Sequence, residues 1–158
     1  MVLPSPNNVA YERIGQTVGT AAASAGTHNA DGHFTDPVDG HQYEYTAAVD
    51  FRVQDLTDAQ IWSLLGDLSV HGFAEFYRSP GHDGWPSTEI KHVHAVFCGV
   101  PMKETLQRQV MDYLSVPPKD GLAHHHNYSF FAPSKFARGV MTNLFLSHKT
   151  IPGDLPAV

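Results

Sequence analysis

Three short runs of two-residue period, separated by segments of helical period, fix the kind of domain this chain can build. From Glu44 to Val53, Tyr45, Ala47, Val49, Phe51 and Val53 fall on one face and Thr46, Ala48, Asp50 and Arg52 on the other. Successive side chains of an extended strand point to opposite faces, so this run predicts a half-buried strand. Phe73 to Arg78 predicts a short aromatic strand, and Glu89 to Cys98, rich in β-branched and aromatic residues, predicts another. Between the first two, Thr57-Asp58-Ala59-Gln60 has the form of a capping box. Ile61, Leu64, Leu65 and Leu68 follow at i, i+3, i+4 and i+7, a core-facing stripe for which Gly72 is a suitable stop. A second helix is predicted from about Met102 to Leu114, ended by Pro117-Pro118, and a further one from Ser134 to Leu146. Ser79 to Ser87 reads as a Gly/Pro turn region. Upstream, a short helix around Val9 to Thr20 is expected, and Ser24 to Gly40, dense in Gly, Asn, Asp, Thr and His, reads as a long loop. Strands and helices interspersed with short connections predict a single α+β domain over residues 1–158. Its sheet is expected to be small, mainly antiparallel and flanked by helices.

With 158 residues, 42% apolar and 16% charged, the chain has the composition of a globular domain able to bury a real core. A net charge of −6, with only 10 scattered Lys and Arg, argues against a nucleic-acid or anionic-membrane partner, since no basic block is present to neutralise phosphates. No apolar run approaches the roughly 18 residues of a membrane span. Met1 to Gln16 carries Pro, Asn, Glu and Arg without a hydrophobic stretch, so it does not read as a secretory signal. The single Cys98 excludes internal disulfides and a Cys-rich zinc site, and its place at the end of a strand fits a buried structural thiol.

His92 and His94 lie two positions apart in the Glu89–Cys98 run and so share a face. Two neutral imidazoles side by side on a stiff strand form half of a metal site. The plainer reading is a surface strand in a chain that holds 11 histidines. Asp50 adds weight to the metal reading: a carboxylate inside Ala47-Ala48-Val49-Asp50-Phe51 needs a partner, because an unpaired buried charge is very costly. A salt bridge to an arginine or the capping of a loop would satisfy it, and so would a metal held by the histidine strand. A catalytic zinc site takes three protein ligands from His, Asp or Glu and leaves its fourth position to water.

Tyr45 to Phe51, the Ile61–Gly72 helix, Phe73 to Arg78 and Glu89 to Phe97 together resemble the LAS-type (M15) zinc peptidases, the D-alanyl-D-alanine carboxypeptidases and dipeptidases. Their zinc fold is shared with the hedgehog signalling domain. The family pattern is Ser-x-His-x-x-Gly-x-Ala-x-Asp, then a helix, then a Glu and a His-x-His strand, and the resemblance covers about residues 24–100. One departure stands out: the family's first histidine, seven residues before the aspartate, falls here on Tyr43. His28 is the preferred substitute, because Ser24-Ala25-Gly26-Thr27-His28 followed by Asp31-Gly32 is similar to the start of the motif, with Asn29 to Glu44 as an inserted loop. His41 is the alternative, and His33 reads as a solvated loop histidine.

The resemblance implies zinc held by His28, Asp50 and His94. It implies Glu89 as general base and His92 as a neighbour of the metal that stabilises an oxyanion or steadies the adjacent ligand. Glu89 lies three residues before His92, nominally on the opposite face, so it must stand at an irregular strand start to take part. Family enzymes bind a peptide carboxylate, for which Arg52 and Arg78 are the candidate cations. The expected function is zinc-dependent hydrolysis of a peptide bond in cell-wall-type (peptidoglycan-derived) peptides containing D-amino acids. The alternative is a hedgehog-like zinc domain without catalysis, and a further reading has no metal at all. His124-His125-His126 has no assigned role.

Overall fold

A computed structural model describes residues 29–121 and 126–148. Within them the chain forms two antiparallel sheets and three helices, in agreement with the expected α+β class. A hairpin of β1 (Gly32–Thr35) and β2 (Gln42–Tyr45) makes the first sheet, with Gly32 opposite Tyr45. The second contains β3 (Ala48–Arg52), β4 (Phe73–Arg78) and β5 (His92–Phe97), with β5 in the middle and antiparallel to both neighbours. Helix α1 (Asp58–Val70) joins β3 to β4, α2 (Glu104–Tyr113) follows β5, and α3 (Lys135–His148) packs on α1.

The strand expected from Glu44 to Val53 is in fact two, and the reason lies at Thr46 and Ala47. Up to Tyr45 the chain pairs with β1, and from Ala48 it pairs with β5. In between, the Ala47 N–H donates to Asp31 Oδ2 at 2.7 Å and its carbonyl accepts from the Phe97 N–H at 2.9 Å. Both backbone groups of Ala47 are thus satisfied while the chain changes sheets. The loop expected from Ser24 to Gly40 likewise holds β1 in its described part. Its turn is closed by the side chains of Asp36 and Asp39, which accept from the Val38 and His41 N–H groups, and by Gly40 at φ +71°. The helix expected around Val9 to Thr20 lies outside the described residues.

The strand expected from Glu89 to Cys98 forms only over His92–Phe97, whereas β4 and the three helices follow their sequence signals closely. Thr57 Oγ1 accepts from the Gln60 N–H at 3.3 Å and Gln60 Oε1 accepts from the Thr57 N–H at 2.9 Å, completing the capping box of α1. Ile61, Leu64, Leu65 and Leu68 are buried beneath it. Gly72 ends the helix at φ +89°, and a Cβ there would come within 2.4 Å of Leu144 Cδ1 of α3. The second and third helices start and stop within one or two residues of their expected ends.

β3 is buried on both faces, not on one: Ala48, Val49, Asp50 and Phe51 are all in the interior. Residues opposed in register share a face, so Asp50, His94 and Phe76 form one row across the sheet and Arg52, His92 and Arg78 the next. α2 packs on β4 and β5 and reaches this face through Gln109, which covers what the alternation of β3 had left to solvent.

Candidate functional site

The inner row is closed off from water. Asp50 is 4% exposed and His94 2%. His94 Nδ1 lies 2.8 Å from Asp50 Oδ1, its Nε2 lies 2.9 Å from Gln109 Oε1, and the Phe76 ring stacks beside the imidazole with centroids 6.3 Å apart. The sheet register creates the first contact, because antiparallel pairing sets the two side chains directly opposite one another. The second comes from α2, whose buried stripe is Leu106, Gln109, Val110 and Tyr113. Gln109 escaped the sequence reading. Its signal was an amide at the i+3 position of an apolar stripe, where a polar side chain requires a buried partner.

The outer row forms the rim. His92 is partly exposed, with Nδ1 at 2.5 Å from the Ile90 carbonyl oxygen and 3.7 Å from Glu89 Oε1. Glu89 precedes the strand, in a turn where its N–H donates to the Pro86 carbonyl at 3.0 Å. Strand parity therefore does not bind it, and its carboxylate reaches the face that carries His92. Arg52 stands exposed on the far side of His92, with Nη2 at 2.8 Å from Asp55.

Arg78, on the near side, is only 1% exposed and is ion-paired with the equally buried Asp120. Its guanidinium lies over Phe76 at 5.1 Å and over Trp85 at 4.4 Å, and the Trp85 indole N–H donates to Asp120 Oδ2 at 3.2 Å. Burial pulls the guanidinium down to about 9, against the opposing influence of Tyr128 and of the Asp50 and Glu89 carboxylates. Arg78 is thus a buried cation within electrostatic reach of both site carboxylates. The geometry gives a solvent-borne anion access to Arg52 and not to Arg78.

Of the three expected zinc ligands, Asp50 and His94 come together and His28 lies outside the described residues. His33 and His41 stand on the exposed hairpin, His33 with Nε2 at 3.5 Å from Glu44 Oε1 and His41 with its ring 5.9 Å from that of Tyr43. Neither joins Asp50 and His94: among the described residues no group of three or more His, Cys, Asp or Glu is arranged to hold a metal. By donor type Asp50 and His94 match two of the three protein ligands a catalytic zinc takes, and they stand side by side. Both would hold the metal through the atoms that now face each other, His94 Nδ1 and Asp50 Oδ1, while the other ring nitrogen already has its partner in Gln109.

Other reactive groups stand apart from this row. Burial pushes the Cys98 thiol up to about 12, as suits a buried structural thiol. His126 packs edge-on against Trp85 with centroids 6.3 Å apart, whereas His124 and His125 are outside the described residues. Comparison with known proteins adds no relative, since no family model matches and neither the curated proteins nor the solved structures give a significant match.

Proposed function

We propose that the chain is a zinc-dependent peptidase of the D-alanyl-D-alanine carboxypeptidase and dipeptidase kind. It would hydrolyse a peptide bond in cell-wall-type peptides that contain D-amino acids, on a fold of the hedgehog and D-Ala-D-Ala peptidase type. The observation that supports this most is the register of β3 against β5, which sets a carboxylate and an imidazole face to face in a dry row beneath a rim of Glu89 and His92. Asp50 and His94 would hold the metal, with His28 as the remaining candidate for the third position. Bound zinc supplies Lewis acidity, enough to bring the pKa of a water to about 7 and to polarise a carbonyl.

The chain's own residues then have distinct tasks. Glu89 takes up a proton and can hand it to the leaving amine, as a partly exposed carboxylate at the rim is free to do. His92 donates Nδ1–H to the Ile90 carbonyl, so its neutral ring offers Nε2 as an acceptor and its protonated ring offers Nε2–H to a developing oxyanion. Arg52 supplies the cation for a peptide carboxylate.

Metal analysis and peptide cleavage test the reading together. The purified chain is expected to hold zinc near stoichiometrically and to lose it in Asp50→Ala and His94→Ala. Glu89→Gln is expected to keep zinc and to lose about 10²–10⁴-fold in cleavage of D-Ala-D-Ala peptides or muropeptides. Absence of tightly held metal under zinc-replete conditions would sink the proposal. Bound zinc without any Glu89-dependent cleavage would favour the non-catalytic zinc domain, a reading that draws on the enclosure of Arg78.

A further inference from the structure

We infer that Gln109 is the positioning residue of His94: its amide holds imidazole Nε2 and thereby keeps Nδ1 turned toward Asp50. The inference rests on the zinc reading above and goes beyond it to a residue of α2 that the resemblance does not include.

Gln109 is completely enclosed, at 0% exposure, on a helix face otherwise made of Leu106, Val110 and Tyr113. Among the described residues its amide makes one hydrogen bond, to His94, and its Nε2 has no partner. Burying an amide for a single bond costs stability that an apolar side chain would not. The bond to His94 is what the residue gives in return.

The chemistry of the bond follows from the count of imidazole protons. A neutral ring has one N–H and one lone pair. If Nδ1 faces a metal beside Asp50, the proton is on Nε2 and Gln109 must accept it through Oε1. If the metal is absent, Nδ1–H donates to Asp50 and Nε2 must accept, which the same amide allows after a half-turn that exchanges its oxygen and nitrogen. Glutamine serves both states, a carboxylate in its place only accepts, and a leucine does neither. The backbone also fixes where the amide sits. A Cβ on Gly121 would lie 2.5 Å from Gln109 Cα and 2.9 Å from its Cγ, so the segment after Asp120 presses directly on α2 at this residue. Asp120 is itself tied to Arg78. Gly121 thus sets the distance between Gln109 and the sheet.

Zinc affinity of the full chain, measured by competition with a chromophoric chelator, tests the inference. Gln109→Leu and the one-methylene-shorter Gln109→Asn are expected to bind zinc about 10–100-fold more weakly, and Gln109→Glu to bind as tightly as the parent or tighter. Gly121→Ala is expected to weaken binding without touching a ligand. A role in packing alone predicts the reverse order, because a leucine fills a core position more readily than a carboxylate. Unchanged zinc affinity in Gln109→Asn or Gln109→Leu overturns the inference and leaves the zinc reading standing, whereas a parent chain that takes up no zinc overturns both. Should Gln109→Leu not fold, nitrogen-labelled histidine NMR on the cadmium-substituted parent decides the matter independently. Coupling of cadmium to His94 Nδ1, with the proton on Nε2, is expected. Coupling to Nε2 is incompatible with the inference.

Discussion

Individual buried charges set the behaviour of this protein outside its candidate site. Glu75 is fully enclosed on β4, its Oε1 accepts from the Tyr113 hydroxyl at 2.8 Å, and its other oxygen has no hydrogen-bond partner among the described residues. Burial raises its pKa well above the usual 4.5, outweighing the bonds from Tyr113 and the backbone that pull it down. The folded chain therefore keeps this proton to a higher pH than the unfolded chain does. The resulting stabilisation is fully present below 4.5 and is lost as pH rises through the raised value. Urea unfolding is expected to show parent stability falling relative to Glu75→Gln as pH rises above the usual carboxylate range, with a slope of up to about 1.4 kcal/mol per pH unit. A difference that does not vary with pH would refute this assignment. Arg78 makes the opposite kind of contribution. Asp120→Asn strips a buried guanidinium of its ion-pair partner and is expected to cost about 3–5 kcal/mol. Arg52→Ala, at an exposed pair, is expected to cost less than about 1 kcal/mol. Similar costs for the two changes would contradict the burial that distinguishes them.

At the level of elements, α1 is the part most completely written in the sequence. Its capping box, apolar stripe and glycine stop each have a local physical cause and act within a few residues. Thr57→Ala is expected to lower unfolding free energy by about 1 kcal/mol, and Thr57→Ser by much less, in chemical denaturation. The break between β2 and β3 was not legible, because alternation records which way side chains point and not which strand lies alongside. Only Asp31, reaching Ala47 from outside the run, marks the change of sheet. β1 was missed for a related reason: a four-residue exposed strand has no buried face to impose a period. In the candidate site, Asp50 and His94 were legible from strand parity and from the unease of a carboxylate in an apolar run. The enclosure of Arg78 depends on Asp120 and Trp85, far away in sequence, and no local pattern encodes it.

Among the described residues a three-stranded sheet packs with α1 and α2, and the β1–β2 hairpin forms a second sheet of its own. No helix among the described residues is long and apolar enough to cross a membrane. If the zinc reading holds, metal stabilises the entire domain by mass action, by about 2.7 kcal/mol at a free concentration one hundred times Kd. Thermal unfolding with and without a strong chelator is expected to show a clear drop in Tm, and an unchanged Tm would argue against a resident metal. The hairpin should report almost none of this. β1 and β2 bury little, and Asp31 anchors their base by accepting from the Ala47 and Lys103 N–H groups at 2.7 and 2.8 Å. Fraying can then stop at that carboxylate, so the amides of β1 and β2 are expected to exchange with deuterated solvent through local opening while those of β5 wait for global unfolding. Beyond that carboxylate the described tie of the hairpin to the rest of the fold is the Tyr45 hydroxyl, which donates to the Pro101 carbonyl at 3.1 Å. Changes of length and sequence at its turn, between Thr35 and Gln42, are expected to leave the alignment of Asp50 with His94 where the central sheet sets it.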